Sequence, residues 1–299
     1  MPELPEVETI RAQLVPRLVG RALVQIDVVD PSAVAPWDVD EFVHALVGQR
    51  VSDVTRRGKY LVIEFASGDR LVGHLRMTGR LHWRAERPSD GDERFLRILF
   101  VCDDGSSVAF GDARRFGRFA VVGRNQDMAL YWRGRLGPEP LGTAFTPNYL
   151  AGAFGNRRVA VKTAVLNQAL IAGVGNMYAD EALYGARIHP ERAAGSLSHD
   201  EMRRLCRAIR QTLALAISHG GASIDSYRDG LGQRGQMQDF LKVHLHEGES
   251  CPRCATVIVK SVVGQRGTYW CPGCQPDLSG AAPPVSVRRP RRIRQGVHP

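Results

Sequence analysis

The spacing of apolar side chains changes near residue 20, and the change predicts two kinds of structure in the first part of the chain. Before it, apolar residues recur at helical spacing, at Val7, Ile10, Leu14 and Leu18. This period predicts an amphipathic helix over residues 6–19, closed by Gly20, with Pro16 as a kink or an early stop.

From Ala22 onward, short runs rich in β-branched residues replace the helical period. Turn sequences such as 67–69 and 103–105 separate the runs. The runs cover residues 22–29, 50–55, 60–66, 70–76, 95–101, 106–110 and 117–122. Several short strands at close spacing predict a β-sandwich or barrel. Residues 136–150, which are rich in proline and glycine, predict a linker after it.

Beyond the linker the apolar positions again repeat at helical spacing. Ser198 and Glu201 have the spacing of a capping box, in which each side chain bonds the other residue's free backbone N–H. This box predicts the start of a helix that ends at residues 220–221. The apolar face of that helix is formed by Met202, Leu205, Ile209, Leu213 and Ile217. Two further predicted helices, 163–171 and 177–185, flank a glycine-containing turn.

Two Cys-x-x-Cys pairs lie sixteen residues apart, and they consist of Cys251, Cys254, Cys271 and Cys274. At this spacing four thiolates can reach one tetrahedral zinc ion at about 2.3 Å each. Strands 256–263 and 268–270 are predicted between the pairs, with 264–267 as the hairpin tip. Four thiolates leave the ion no open position, so we predict one structural zinc and no catalytic metal. The other cysteines, Cys102 and Cys206, lie in apolar patterns typical of a core.

The turn at residues 172–176 has two interpretations. A glycine turn between helices is usually a simple helical hairpin. Here, however, Asn176 is a predicted N-cap, and free N–H groups at a helix N-terminus bind anions. Gly173 and Gly175 would let a phosphate approach closely. With basic residues just upstream and a zinc module in the same chain, contact with the DNA backbone is the favoured interpretation.

Two segments lack any apolar period. Residues 222–239 are rich in glycine and polar side chains and too long for a simple connection, which indicates a functional loop. The tail, residues 276–299, is rich in proline, alanine and arginine, which predicts disorder. Five arginines lie within residues 288–294, and we expect them to add salt-dependent, sequence-independent affinity for DNA.

The charge balance indicates a polyanionic partner, with nucleic acid ahead of an acidic membrane surface. The 299 residues include 40 Lys and Arg against 31 Asp and Glu, a net charge of +9. The chain has no run of eighteen apolar residues, and its acidic N-terminus lacks the apolar region of a signal peptide. We therefore expect a cytoplasmic protein, associated with the nucleoid when bound to DNA, with reduced cysteines.

The N-terminus carries a candidate nucleophile. Removal of Met1 would leave Pro2 with a free secondary amine. An α-amino group has a pKa near ~8, against ~10.4 for a lysine, so more of it is neutral around neutral pH. A neutral amine can attack a sugar carbon and form a Schiff base, and Glu3 beside it can transfer protons. Most N-terminal Pro-Glu pairs are unreactive chain ends, so the residues alone leave both interpretations open.

The opening Met1-Pro2-Glu3-Leu4-Pro5-Glu6-Val7-Glu8-Thr9 resembles the bacterial formamidopyrimidine-DNA glycosylases (8-oxoguanine DNA glycosylase/AP lyase). The resemblance extends over roughly residues 1–275, including the cysteine module closed by Gln275. Further similar motifs occur in the same order: Gly58-Lys59-Tyr60, His74-Leu75-Arg76-Met77-Thr78-Gly79, Asp112-Ala113-Arg114-Arg115-Phe116-Gly117, Gly173-Val174-Gly175-Asn176-Met177-Tyr178-Ala179-Asp180-Glu181 and Gly220-Gly221-Ala222-Ser223.

The resemblance implies an α+β multidomain fold with duplex DNA bound in a cleft. A catalytic β-sandwich with a flanking helix would span residues 1–135, followed by the linker 136–150. A helix-two-turn-helix domain would span 151–244 and contain the lesion-recognition loop 222–239. The zinc-finger hairpin would span 245–275, and the basic tail 276–299 would lie outside the family pattern. We expect a monomer that does not bind membranes.

The resemblance also implies a reaction on a base that is flipped out of the duplex. Pro2 would attack C1′ of deoxyribose and form the Schiff base, with Glu3 as the acid. Lys59 would serve the following β-elimination, and Arg266 would contact phosphate and assist δ-elimination. The implied substrates are oxidised purines, 8-oxoguanine and formamidopyrimidines, and abasic sites in double-stranded DNA.

Further residues are implied to bind DNA. Met77 and Phe116 would fill the gap left by the flipped base, because an apolar side chain and an aromatic ring can replace its stacking. Arg114 would hydrogen-bond the base that has lost its partner. Phosphate contacts are implied for Arg157, Lys162 and Asn176. The damaged base would meet the loop at Ile224, Asp225, Ser226 and Tyr227.

The chain departs from the family pattern at two places. A phosphate-contacting histidine is expected just before the strand 95–101, but residues 92–95 contain none, and Arg94 or Arg97 is the candidate substitute. Asp225 stands where a basic residue is common. Two alternatives to the main interpretation are an enzyme resembling endonuclease VIII, which prefers oxidised pyrimidines, and a DNA-binding relative without catalysis.

Overall fold

The computed structural model describes residues 1–87, 95–224 and 226–277. Its first half contains two four-stranded antiparallel sheets that share one apolar core. One sheet has the order β1-β6-β7-β5 and the other the order β2-β3-β4-β8. The strands are β1 (Leu23–Val28), β2 (Val51–Arg57), β3 (Tyr60–Phe65), β4 (Arg70–His74), β5 (Gly79–Arg84), β6 (Leu96–Cys102), β7 (Ser107–Asp112) and β8 (Arg118–Val122). The predicted β-sandwich is confirmed, whereas β5 was not predicted.

Helix α1 (Leu4–Leu18) packs its apolar face into the sandwich core. It begins with a capping box in which the Glu3 N–H donates to Glu6 Oε2 at 2.8 Å. The predicted early stop at Pro16 is wrong, because the helix continues to Leu18. A proline in the last turn removes a single backbone hydrogen bond close to the end, where its cost is small.

Two short helices accompany the strands, α2 (Val39–Leu46) and α3 (Met128–Trp132), and neither was predicted. Helix α2 buries Phe42 and Leu46 in the sandwich core, and Asp38 caps its N-terminus. The buried thiols of Cys102 and Cys206 confirm that these two cysteines belong to the core.

The second half is helical, with α4 (Pro147–Phe154), α5 (Val161–Leu166), α6 (Asn176–Ala186) and α7 (His199–Ser218) around a separate apolar core. The capping box of Ser198 and Glu201 is present at the start of α7 and confirms that prediction. Helix α5 is shorter than predicted, because the Asn167 side chain accepts the Ala169 N–H and turns the chain. The predicted domain limits remain predictions.

The cysteine module folds as a two-stranded hairpin of β9 (Val259–Val263) and β10 (Arg266–Trp270). The predicted tip 264–267 is too long, because Arg266 and Gly267 already pair with β9. Among the helices of the described residues, none combines the length and the hydropathy that a membrane-spanning segment requires. The predicted disorder and DNA affinity of the tail concern residues that lie, from 278 onward, outside those described.

Candidate active site

The N-terminus of α1 is docked against the N-terminus of α6. Pro2 and Glu3 are both buried at this junction. The Glu3 carboxylate accepts the Gly175 N–H at 2.6 Å and the Met177 N–H at 3.2 Å. These are the free N–H groups that a helix N-terminus offers to an anion. The predicted N-cap role of Asn176 is wrong, because Gly175 occupies the cap position and Glu3, from another helix, supplies the acceptor.

The glycines of the turn make room for this docking. Gly173 has a left-handed backbone with φ of 85°, and a Cβ there would lie 2.6 Å from Leu4 Cδ1. A Cβ on Gly175 would lie 2.2 Å from Glu3 Cδ. The prediction that these glycines admit a phosphate is therefore corrected: the space beside them is filled by the first residues of the chain itself.

Glu6 ties the same helix to α6 and to the loop 222–239, a role that the sequence did not predict. Its Oε1 accepts the Tyr178 hydroxyl at 2.5 Å and the Ala222 N–H at 2.9 Å. Burial, reinforced by the negative charge of Glu3, raises the pKa of Glu6. One feature of the sequence could have identified Glu6 as a site residue. It lies one helical turn before the core residue Ile10, and an acid on an apolar helix face needs a hydrogen-bond partner.

Lys59 lies in the turn between β2 and β3 and is only 5 % exposed. Burial lowers the pKa of its ammonium group, and the positive charge of Arg266 lowers it further. The carboxylates of Glu3 and Glu6 oppose this shift, but they do not outweigh it. Lys59 is thereby electrostatically coupled to both the N-terminal acids and the zinc hairpin, and more of it is neutral than of an exposed lysine.

A carboxylate from the linker holds the turn that carries Lys59. Glu139 Oε1 accepts the Gly58 N–H at 2.6 Å, and its two oxygens also bind Arg57 and Arg56 at 2.9 and 2.8 Å. Arg56 in turn donates to the Gly58 carbonyl at 2.8 Å. The backbone before Lys59 is therefore fixed by charge-assisted hydrogen bonds, which are stronger than neutral ones.

His74 is a further buried residue of this site that sequence reasoning missed. It pairs with Tyr60 across β3 and β4, beside Lys59. Its Nδ1 accepts the Arg76 N–H at 3.0 Å. Burial lowers the pKa of His74 to about 3, with the charges of Arg76 and Lys59 acting in the same direction. The imidazole is neutral at neutral pH, which leaves Nε2–H as a hydrogen-bond donor.

Lys162 is 0 % exposed and does not face solvent, which contradicts the predicted phosphate contact. Its ammonium lies 2.7 Å from Asp180 Oδ1 and donates to Thr268 Oγ1 at 2.8 Å and the Gly267 carbonyl at 3.0 Å. The ammonium is thus held by one ion pair and two hydrogen bonds within the protein. The residue instead fixes the start of β10, next to Arg266, against α6.

The other two predicted phosphate contacts lie nearer to solvent. Asn176 is partly exposed and donates its Nδ2 to the Gly267 carbonyl at 2.9 Å, which again ties the hairpin to α6. Arg157 is exposed after α4, and its Nε donates to the Ala153 carbonyl at 2.8 Å. Arg266, the first residue of β10, is also exposed.

The three residues predicted to fill the gap of a flipped base project from two neighbouring turns. Asp112 organises both turns, because its carboxylate accepts the Thr78 hydroxyl, the Arg114 N–H at 3.1 Å and the Phe116 N–H at 2.9 Å. Met77 is 38 % and Phe116 47 % exposed, and the Arg114 guanidinium lies 4.8 Å from the Phe116 ring centroid. Exposed apolar side chains at a preformed turn are suited to insertion into a base stack.

Neither candidate substitute for the expected phosphate-binding histidine is seen at a phosphate-binding position among the described residues. Arg94 lies outside the described residues. The Nε of Arg97 donates to the Asp112 carbonyl at 2.9 Å and lies 3.6 Å from Asp30 Oδ2. Arg97 therefore supports the turn before Arg114 and points its charge at an acid within the protein.

The predicted recognition residues divide into an exposed and a buried part. Ile224 is exposed and Ser226 partly exposed, whereas Asp225 lies outside the described residues. Tyr227 is buried in the sandwich core, and its hydroxyl donates to the Glu6 carbonyl at 3.3 Å. Its side chain anchors the loop to the sandwich core.

The four cysteines of the module meet in one cluster, with all Sγ atoms within 4.8 Å of one another. The Sγ of Cys254 lies 3.4 Å from those of Cys271 and Cys274, and Cys251 lies 3.8 Å from Cys274. A tetrahedral zinc ion with Zn–S bonds of about 2.3 Å requires sulfur separations of about 3.8 Å. The cluster fits one zinc ion, which is structural.

Three family models match the chain in sequence. They are the formamidopyrimidine-DNA glycosylase N-terminal domain over residues 1–119, its H2TH domain over 136–228, and the zinc finger found in FPG and IleRS over 248–276. A formamidopyrimidine-DNA glycosylase of Symbiobacterium thermophilum is 46% identical over 300 residues, covering 99% of this chain and 95% of the relative.

Solved structures show the same fold. A Lactococcus lactis FPG mutant in complex with DNA containing Fapy-dG has a TM-score of 0.86 and 34% identity, over 92% of this chain and 100% of that one. The complex of Lactococcus lactis Fpg with DNA containing an abasic site has a TM-score of 0.86 and 33% identity, with the same coverage. These similarities confirm the predicted fold class.

Proposed function

This chain belongs to the formamidopyrimidine-DNA glycosylase family, and we propose that it excises oxidised purines from duplex DNA through a Schiff base at Pro2. It is a DNA glycosylase and AP lyase of base excision repair. The observation that carries the proposal is the placement of the Glu3 carboxylate, next to Pro2, on the N-terminus of α6 and within electrostatic reach of buried Lys59.

In the first step, Pro2 acts as a nucleophile once Met1 has been removed. Its neutral amine forms a bond to C1′ of the damaged nucleotide as the glycosidic bond breaks. The base leaves with the bonding electron pair and takes up a proton. The proton that the Pro2 nitrogen loses passes to Glu3, which gives it to the leaving base or to the sugar ring oxygen, and water supplies the proton for the other group. Protonation of the ring oxygen opens the ring and yields the Schiff base.

In the second step, Lys59 serves the elimination. The Schiff base withdraws electrons and makes the C2′ proton acidic. A lysine with a lowered pKa holds a larger neutral fraction that can accept this proton, and the 3′ phosphate then leaves. Arg266, whose charge acts at Lys59, would neutralise a phosphate and assist the later loss of the 5′ phosphate.

Binding of DNA relies on the groups that face outward. Met77, Arg114 and Phe116 would enter the stack where the damaged base has left, while Arg157 and Asn176 would hold phosphates. A protein with these partners would work in the cytoplasm, on the nucleoid. Lys162 is not among these phosphate contacts, because it is buried.

A panel of duplexes with single lesions tests the proposal. Each duplex carries 8-oxoguanine, a formamidopyrimidine, an oxidised pyrimidine, an abasic site or no lesion, and single-turnover rates are measured on denaturing gels. We expect oxidised purines to be excised at least about tenfold faster than oxidised pyrimidines, which corresponds to about 1.4 kcal/mol of discrimination. Strand breaks should carry phosphate on both sides of the gap.

The same panel distinguishes the alternatives. Faster excision of oxidised pyrimidines would favour the endonuclease VIII-like interpretation. Binding to abasic DNA without any strand cleavage would instead favour a relative without catalysis. The duplex without a lesion is the control, and it should stay intact under all conditions.

A further inference from the structure

The loop 222–239 leaves the helical half of the protein. Besides the Ala222 N–H that Glu6 accepts, two further contacts hold the loop to the N-terminal half, an inner and an outer one. The inner contact is Tyr227, buried against α1 with its hydroxyl on the Glu6 carbonyl. The outer contact is formed by Asp229 and Gly230, which bond to α1 and to β5. Ile224 and Ser226 precede Tyr227 in the chain, with Ile224 exposed and Ser226 partly exposed.

The outer contact depends on Gln13, whose side-chain amide both donates and accepts a hydrogen bond. Its Nε2 donates to Asp229 Oδ2 at 2.8 Å, and its Oε1 accepts the Gly230 N–H at 2.7 Å. The Gly230 carbonyl accepts the Trp83 N–H of β5 at 2.8 Å. A single glutamine thus sets the register between this loop and the helix that carries Pro2.

Asp229 connects that register to the shape of the loop. The residue is buried, and its Oδ1 accepts the Gln233 N–H at 2.8 Å and the Leu231 N–H at 3.0 Å. The Asp229 backbone N–H also donates to the Gln233 carbonyl at 2.9 Å. One carboxylate oxygen therefore holds the turn within the loop, while the other is held by α1.

We propose that Gln13 and Asp229 are a positioning pair that places the loop against the damaged base and so contributes to lesion specificity. The inference rests on the proposed function of the loop and the N-terminus. Gln13 lies about 15 Å along α1 from Glu3, given 1.5 Å per helical residue, so one rigid element carries the reacting groups and the register of the loop. Neither residue needs to touch DNA for this role.

The pair allows a reciprocal exchange of donors and acceptors. In Gln13→Glu, a carboxylate oxygen replaces the amide donor and faces Asp229 Oδ2, and the two acceptors repel each other. In Asp229→Asn, the new amide NH₂ faces the NH₂ of Gln13, and two donors then oppose each other. If the Gln13 amide turns over, its oxygen can accept from residue 229, but its NH₂ then faces the Gly230 N–H. In the double variant, the amide introduced at position 229 donates to the carboxylate introduced at position 13, and every contact has a partner again.

The experiment measures two single-turnover rates for each variant, excision of 8-oxoguanine and nicking of a preformed abasic site. Recognition of a base is needed only for the first. Each single variant should lower the ratio of the two rates by about tenfold, the effect of one unpaired buried group. The double variant should restore it to within about threefold, which is the signature of a direct pair. Gln211→Glu on the exposed face of α7 is the control with the same change of charge.

Three outcomes overturn the inference. Equal loss of both rates in the single variants would show that the pair only stabilises the fold, and unchanged rates would show that it positions nothing. A double variant no better than the single variants would exclude direct pairing. If the unmodified protein itself neither excises 8-oxoguanine nor nicks abasic sites, the proposed function fails, and this result is distinct from the other three.

Discussion

Glu3→Gln is expected to slow the excision of 8-oxoguanine by about 10²–10⁴-fold, the usual contribution of a positioned general acid or base. The substituted amide has the size of the carboxylate but cannot give a proton to the leaving base. Its NH₂ group must also face one of the two N–H donors of α6, at Gly175 or Met177, so part of the docking is lost. Single-turnover kinetics with excess enzyme measure the chemical step directly.

Glu41→Gln on the exposed surface of α2 is the matched control, and it should excise 8-oxoguanine at the unmodified rate. Binding of an uncleavable abasic analogue by Glu3→Gln should change by less than about threefold, because the carboxylate acts on the reaction more than on the duplex. Excision that stays within threefold of the unmodified rate would remove Glu3 from the proton transfer.

Loss of zinc is expected to lower the affinity for duplex DNA by about 100-fold or more. In the described residues, the apolar cluster that joins the hairpin of β9 and β10 to the rest of the protein is small, so the metal must supply much of its folding free energy. Without the hairpin, Arg266 loses its position, and Lys162 and Asn176 lose the Gly267 carbonyl that they hold. A buried lysine whose partners are removed carries a high cost.

Chelation of the unmodified protein and the variant Cys271→Ser test this expectation together. Fluorescence anisotropy follows duplex affinity, and a chromogenic chelator counts the metal that is released. Addition of zinc should restore affinity to the chelated protein but not to the variant. Cys102→Ala removes a buried thiol in the sandwich and should keep both the metal and the affinity. A metal-free protein with full affinity would contradict the structural role of zinc.

Local rules of sequence predicted the parts of the fold that depend on neighbouring residues. The capping box of Ser198, the strands of the sandwich and the cysteine cluster are all confirmed, since each rests on spacings within a short segment. Strand β5 was missed although residues 80–84 alternate polar and apolar side chains, because the segment lacks the β-branched residues that marked the other strands. The short helix α2 was missed because eight residues carry too little periodicity.

The candidate site depended instead on contacts between residues far apart in sequence. In the sequence, Glu6 and Gln13 look like ordinary helix residues. In the structure, Glu6 contacts Ala222 and Gln13 contacts Asp229, each 216 positions away in the chain. The charge of Lys162 was visible in the sequence, but its partner Asp180 and its burial were not. The family motifs therefore indicated which segments form the site. The structure shows which residues of these segments are buried and hold the site together, and which are exposed and can contact DNA.

The central claim is that the nitrogen of Pro2 becomes bonded to deoxyribose. Borohydride reduction of a reaction with 8-oxoguanine DNA, followed by digestion and mass spectrometry, tests it most directly. We predict a sugar adduct on a peptide that begins at Pro2, and none in protein that retains Met1 or carries an acetylated N-terminus. An adduct on Lys59, or full activity with Met1 still attached, would contradict the account.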